Sequence, residues 1–139
     1  MPDVVDILKR DHREIERLFG AFERDRQPAV AEEICAQVEL HTTAEEQFVY
    51  PALRERVSDG KQLADEAEHE HAEAKRIIGR VKRTSDPQHL ADIVADLQQA
   101  IEHHVEEEEG TVFPKMKSDL GKIELEAMGA NVQEFKGSA

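Results

Sequence analysis

Two stretches of the sequence, residues 41–51 and 104–114, carry the same residue types at the same spacing. Each begins with a histidine, has a pair of glutamates starting four residues later, and ends with a valine, an aromatic residue and a proline. Four residues advance an α-helix by about 400°, so the histidine and the first glutamate lie within roughly 40° of each other, one turn apart. An imidazole and a carboxylate on one helix face suit a divalent metal cation. Two copies of the motif therefore predict a closed, nearly symmetric cation site.

Apolar residues recur at alternating steps of three and four, which predicts four long amphipathic helices. We place these helices at residues 3–24, 28–57, 61–83 and 87–117. Pro51 and Pro114 fall late in the second and fourth helices, where proline removes a hydrogen bond and clashes with the preceding turn. We therefore expect a kink or a break just past the motif glutamates.

Four amphipathic helices with short links favour an all-α, up-down-up-down four-helix bundle, which we assign to residues 1–118. A weaker apolar pattern at Ile123, Leu125, Met128 and Val132 predicts a short fifth helix. Residues 119–139 should then form this helix, packed on the bundle, and a frayed tail.

The chain also repeats internally, because residues 11–20 resemble residues 70–79. The first helix thus pairs with the third and the second with the fourth, as two similar hairpins about a pseudo-twofold axis. A histidine interrupts each of the four apolar stripes, and a glutamate also interrupts two of them. The six residues are His12, His41, Glu45, His71, His104 and Glu108.

A bundle core is dry, so buried carboxylates there require the histidines, water or a metal as partners. Six side chains are too many for one tetrahedral zinc ion. They suit two metal ions, with each glutamate bridging or capping and each histidine ending on one ion. The joint pattern on four core faces has no common structural explanation without a metal.

Five further polar residues lie near the motifs without a role that the sequence defines: Glu46, Glu109, His69, His103 and Tyr50. The two glutamates directly follow the motif glutamates, and we expect them at the rim or in solvent. The two histidines lie about 200° and 100° away from the stripes of their helices, which makes them weaker metal candidates. Tyr50 is about 180° from His41 on an ideal helix. The kink at Pro51 could nevertheless turn the phenol towards the site.

Composition limits the partners and the compartment. The 139 residues fit one domain with a real core, and the formal net charge is −13. A surface this acidic repels phosphate backbones and anionic lipids, so we expect no nucleic acid and no membrane partner. The sequence shows no signal peptide, and its single Cys35 cannot form an internal disulfide, which is compatible with a cytoplasmic location. The acidic surface and the few aromatic residues favour a monomer.

Taken as a set, these motifs resemble the hemerythrin-like (HHE cation-binding) domain over about residues 1–118, and the tail resembles that family's closing helix. The resemblance rests on Asp11-His12, His41 with Glu45-Glu46 and Tyr50-Pro51, Glu70-His71, and His104 with Glu108-Glu109 and Phe113-Pro114. It implies a four-helix bundle with a non-haem centre of two iron ions bridged by oxo or hydroxo. The four histidines would be terminal ligands, and Glu45 and Glu108 would be shared between the irons.

The sequence departs from the oxygen-carrying hemerythrins, which have His-x-x-x-His on the third helix. The residue four after His71 is Lys75, and the fourth helix carries His-x-x-x-Glu. The site should therefore be near-symmetric and richer in carboxylate. It is more similar to bacterial hemerythrin-like proteins, whose members are linked to oxygen, peroxide or nitric oxide handling and to iron sensing. A ferritin-like di-iron bundle needs Glu-x-x-His on two helices, whereas here the pattern occurs only in the third.

Three functions remain open from the sequence. The first is binding or reduction of dioxygen, peroxide or nitric oxide in oxidative or nitrosative stress. If the centre turns over, the activity would be catalase- or peroxidase-like reduction of peroxide, or reduction of nitric oxide. The second is an iron- or oxygen-sensing module without turnover, and the third is a structural bundle with an inert metal such as zinc.

Overall fold

The computed structural model describes residues 1–138, which form seven α-helices, one π-helical segment and no strand. The helices are α1 (Val4–Asp25), α2 (Pro28–Phe48), α3 (Tyr50–Arg56), α4 (Gly60–Arg83), α5 (Pro87–Glu107), α6 (Phe113–Asp119) and α7 (Lys122–Ser138). The π-helical segment spans Glu108–Val112, between α5 and α6. None of the helices in the described part of the chain is both long and apolar enough to cross a membrane.

Local sequence signals set the helix ends. Asp3 caps α1, because its side chain accepts a hydrogen bond from the backbone N–H of Asp6 in a reciprocal capping box. Asp86 caps α5 through the backbone N–H of His89. A proline follows in the first turn of α2 and of α5, where its missing N–H is not needed.

Four long elements form the bundle. Contacts connect α1 with α2, α2 with α4, α4 with α5, and α5 with α1, so that the four helices close a ring. This arrangement confirms the predicted all-α four-helix bundle. The two long helices that carry the motifs are interrupted as expected after their glutamates. One breaks at Val49, between α2 and α3, and the other passes through the π-helical segment before α6.

The hydrophobic core is divided into two clusters by a layer of histidines and glutamates. One cluster includes Leu8, Leu53 and Met116 and lies towards α7. The other includes Ile15, Ile34 and Leu97 and fills the opposite half of the bundle. Each site histidine thus sits where the apolar stripe of its helix passes from one cluster to the other.

The C-terminal helix α7 packs across α1 and α2 and runs for 17 residues, longer than the short helix that the sequence predicts. The expected frayed tail is wrong for Gly137 and Ser138, which are helical, while Ala139 lies outside the described residues. Ile123 is 84% exposed, so the predicted apolar stripe begins only at Leu125.

Candidate metal centre

The structure brings all six predicted residues together in the middle of the bundle. Every one is buried, with at most 4% of its surface exposed. Each of α1, α2, α4 and α5 supplies one histidine; Glu45 lies one turn after His41 on α2, and Glu108 opens the π-helical segment one turn after His104. The six side chains therefore form one buried group, and their role as metal ligands remains a prediction.

The four histidines form two pairs, one from each hairpin. The ring centroids of His12 and His41 lie 4.9 Å apart, and those of His71 and His104 lie 4.7 Å apart. Within the second pair the two Nε2 atoms are separated by 3.2 Å. The pairing follows the pseudo-twofold symmetry of the sequence repeat.

Glu45 lies between the two pairs. Its Oε1 is 3.4 Å from Nε2 of His41, 3.1 Å from Nε2 of His71 and 3.3 Å from Nε2 of His104. Glu45 accordingly belongs to both groups of side chains that could hold a cation: one with His12, His41 and Glu108, the other with His71 and His104. A carboxylate in this position can be shared by two ions.

Glu108 spans the two pairs as well. Its Oε1 lies 2.9 Å from Nε2 of His12, and its Oε2 lies 3.2 Å from Nε2 of His104. The two oxygens of one carboxylate thus face different histidine pairs, although Glu108 groups with the first pair alone by distance.

The spacing of these atoms fits metal ligands. Two donor atoms bound about 2.1 Å from one ion at angles of 90° to 109° lie about 3.0 to 3.4 Å apart, and the observed separations cluster there. Within the centre, Nε2 of His41 and Oε2 of Glu45 are buried without a hydrogen-bond partner. Buried polar atoms are rarely left unpaired, because losing water without a replacement is costly. Imidazoles and carboxylates, together with these two atoms, fit divalent first-row metals.

Tyr50 also reaches the centre. Its hydroxyl lies 2.9 Å from Nε2 of His71, 3.2 Å from Oε1 of Glu45 and 3.5 Å from Oε2 of Glu108. The interruption at Val49 restarts the helix at Tyr50, so the phenol turns inward instead of lying opposite His41.

At the equivalent position of the other hairpin stands Phe113, which stacks on His12 with ring centroids 5.8 Å apart. The centre is therefore not symmetric: a phenol oxygen faces the His71–His104 pair, and a hydrocarbon ring faces the other pair.

Four carboxylates hold the outer nitrogens of the histidines, each across a helix boundary. Nδ1 of His41 bonds Asp11, Nδ1 of His71 bonds Glu46, Nδ1 of His104 bonds Glu70, and Nδ1 of His12 bonds Glu109, at 2.6–2.9 Å. The pairs run in one direction around the bundle, from each helix to the next. An ionised carboxylate only accepts, so each Nδ1 donates and each neutral imidazole presents the Nε2 lone pair to the interior.

These contacts replace the rim or solvent position expected for Glu46 and Glu109. Their side chains are 28% and 25% exposed, and they touch the histidines rather than the centre. The acid that precedes or follows each site residue was visible in the sequence. Its partner was not, because the partner lies on the neighbouring helix and depends on the order of helices around the bundle.

Each of the four outer carboxylates has a basic partner on its far side. Lys136 contacts Asp11, Lys75 contacts Glu46, Arg13 contacts Glu109, and Nε2 of His103 lies 3.3 Å from Oε2 of Glu70. His103 therefore touches an outer carboxylate and no interior atom, whereas His69 is exposed.

The charges of the buried groups depend on one another. Burial alone would lower the pKa of His41, yet the neighbouring Glu45 and the hydrogen bond to Asp11 raise this pKa well above 6.5. Burial and the nearby Glu45 would raise the pKa of Glu108, but His104 lowers it below 4.5. The pKa of Glu45 also lies well below 4.5, because the attraction of His41 and the hydrogen bonds with Glu108 and His104 together outweigh the effect of burial. Without a metal, the raised pKa values of His41 and His104 thus favour imidazolium–carboxylate pairs with the two glutamates.

Comparison with known proteins places the fold and the site in a family. The family model described as hemerythrin HHE cation binding domain matches residues 3–116. The crystal structure of a hemerythrin HHE cation binding domain-containing protein from Mycobacterium kansasii superposes with a TM-score of 0.82 at 25% identity, covering 99% of this chain and 90% of that one.

Two curated relatives match nearly the whole chain. One is an uncharacterized hemerythrin-like protein of Schizosaccharomyces pombe, 22% identical over 98% of this chain and 70% of the relative. The other is a DNA nickase of a Nostoc species, 26% identical over 98% of this chain and 39% of the relative. The chain thus spans well under half of the nickase. Together with the histidine–glutamate layer inside a four-helix bundle, the family match shows that the chain belongs to the hemerythrin HHE cation-binding domain family.

Proposed function

We propose that the six buried side chains hold two metal ions and that these ions are iron. The observation that carries this proposal is Glu45, whose carboxylate lies within 3.4 Å of histidines from both pairs. One ion would bind His12 and His41 with Glu108, the other would bind His71 and His104, and Glu45 would serve both. Histidine and carboxylate ligands in this proportion are compatible with iron.

Tyr50 makes the two proposed positions different. Its hydroxyl lies 2.9 Å from Nε2 of His71, a separation expected of two ligands on one ion. We assign the phenol to the His71–His104 ion, either as a ligand or as a hydrogen-bond donor to a molecule bound there. Burial and the two glutamates raise the pKa of the phenol well above 10 in the metal-free protein. A cation in this position would favour the phenolate.

The function that this centre supports best is binding or reduction of a small molecule, namely dioxygen, peroxide or nitric oxide. Two neighbouring iron ions, once bound, would supply the paired one-electron chemistry that these molecules require. The protein's own part is to orient the imidazoles through the outer carboxylates and to keep bulk water away. Val49 and Val112, each one turn beyond a site glutamate, are buried and add apolar surface to this region.

Iron-loaded protein mixed separately with dioxygen, hydrogen peroxide and nitric oxide tests this function. Rapid-mixing absorbance should show an optical change with at least one of them, and a gas or peroxide electrode should show whether the molecule is consumed. Zinc-loaded protein is the matched control, because the same ligands would then hold an ion without redox chemistry. Iron-loaded protein that is inert to all three molecules would refute the function.

A sensing role without turnover is the second candidate, and the unpartnered atoms of His41 and Glu45 favour it. They make the stability of the core depend on metal occupancy, which couples metal to folding. A large loss of helical circular dichroism on chelation, in protein that binds one of the three molecules without consuming it, would support sensing over catalysis.

The name of the Nostoc relative does not extend to this chain. DNA nicking belongs to a protein of which this chain spans 39%. The net charge of −13 opposes contact with a phosphate backbone, so we propose no nucleic-acid partner.

A further inference from the structure

The C-terminal helix α7 reaches the outer side of the metal centre. Nζ of Lys136, in its last turn, contacts Oδ1 of Asp11, and the other oxygen of Asp11 accepts a hydrogen bond from Nδ1 of His41 at 2.9 Å. The side chains of Lys136, Asp11 and His41 are 24%, 12% and 4% exposed. The three residues therefore form a chain of contacts that leads from the surface to a buried imidazole.

Asp11 is the only one of the four outer carboxylates whose basic partner comes from outside the bundle. Arg13, Lys75 and His103 lie on α1, α4 and α5, whereas Lys136 lies on α7, beyond the residues that the family model matches. The contacts behind His41 thus reach a helix that the contacts behind the other three histidines do not.

The position of α7 is well defined by its packing. A Cβ on Gly129 would lie 2.9 Å from the carbonyl oxygen of Pro2, so the helix backbone approaches the start of the chain closely. Nearer its end, Phe135 meets Phe48, the last residue of α2, edge to face with ring centroids 5.7 Å apart. These contacts fix the height at which Lys136 meets Asp11.

We propose that α7 supports the metal centre through Lys136, which acts as a positioning residue. It holds Asp11 against Nδ1 of His41 and so directs Nε2 of His41, an unpartnered atom, at the ion. The inference rests on the proposed function, because it requires a metal at the centre. Coupling is reciprocal, so metal binding must also tighten the docking of α7. Metal occupancy would then change how firmly α7 is held at the surface of the protein.

Metal affinity distinguishes this role from that of an ordinary surface ion pair, which contributes little to stability and nothing to a buried site. Lys136→Met removes the charge and keeps the apolar stem. The matched control is Lys82→Met, which removes a 2.9 Å contact with Glu39 between two exposed side chains, 59% and 45% accessible, on the surface of the bundle. In competition titrations with a chelator, Lys136→Met should bind metal about tenfold more weakly, the lower end of the effect of partners behind metal ligands. Lys82→Met should match the wild type, and Lys136→Arg should retain most of the affinity.

Hydrogen exchange on the wild-type protein tests the reciprocal effect. Amides in the last two turns of α7 should exchange more slowly with metal than without it, and Lys136→Met should abolish the difference. Wild-type protein that binds no metal would refute the proposed function itself. If the wild-type protein binds metal and Lys136→Met binds it as tightly as Lys82→Met does, the inference alone is overturned. If Lys136→Met does not fold, metal-independent exchange of α7 in the wild type would overturn it.

Discussion

Replacing Glu45 with glutamine should weaken the binding of both metal ions, because of the six residues only this carboxylate belongs to both groups of donor atoms. Replacing His12 or His71 with alanine should weaken mainly the binding of one ion, since each histidine belongs to one group. The shared position of Glu45 therefore predicts a difference between variants that a set of six equivalent ligands would not give.

The size of the effect follows from binding linkage. At a free metal concentration of about 100 times Kd, each ion stabilises the folded protein by about 2.7 kcal/mol. One kcal/mol corresponds to roughly 4 °C in Tm for a domain of this size, so each ion should raise Tm by roughly 11 °C. Loss of a direct ligand should cost on the order of 100-fold in affinity, at or above the range for partners behind the ligands. At the same metal concentration, the metal-induced rise in Tm of Glu45→Gln should then be only about 2 °C per ion.

The assay is thermal unfolding by circular dichroism, with and without metal, for each variant. Comparing each protein with its own metal-free form removes the effect of the substitution on intrinsic stability. Glu33→Gln, an exposed position on the same helix, is the matched control and should keep the wild-type shift of roughly 22 °C. The reasoning is refuted if Glu45→Gln keeps half or more of that shift, or if the alanine variants at His12 and His71 lose all of it.

Three other outcomes are expected. Tyr50→Phe should still bind metal but lose any visible absorption from a phenolate on ferric iron, and an unchanged spectrum would place the phenol outside the ligand set. In chelated protein, the raised pKa of His41 and the lowered pKa of Glu45 should make stability greatest between about pH 4.5 and 6.5. The contribution of His41 is lost as the pH rises through its imidazole pKa, and that of Glu45 is lost as the pH falls through its carboxyl pKa. A maximum of Tm above pH 8, in thermal unfolding measured across the pH range, would contradict this expectation. Gly60→Ala should cost about 3 kcal/mol in urea unfolding, because its Cβ would lie 1.6 Å from a carbonyl oxygen of α3, whereas Gly121→Ala, with open space, should cost little.

The sequence was sufficient for the four long helices and the six central residues. Both depend on periodic spacing, because a helix face repeats every three or four residues and each of the six residues occupies a core position of such a face. The duplicated motif added a second, independent constraint, since two matching hairpins bring equivalent residues to one level of the bundle.

The remaining features depend on contacts between helices, which spacing along one helix does not encode. Asp11 could be seen beside His12, but it serves His41 on the next helix. Tyr50 lies on the wrong face of an ideal helix and enters the centre only because the helix is interrupted at Val49. Lys136 lies 125 residues from its partner Asp11 along the chain, on a helix whose apolar pattern is weak. Tyr50 and Lys136 make the centre asymmetric, whereas the sequence repeat suggested near symmetry.

The most direct test of the account is the metal content of protein produced with ample iron, measured together with its absorption spectrum. The account predicts two iron ions per chain and the near-ultraviolet bands of a bridged ferric pair, both lost in Glu45→Gln. One ion per chain, zinc in place of iron, or no metal would contradict a shared di-iron centre.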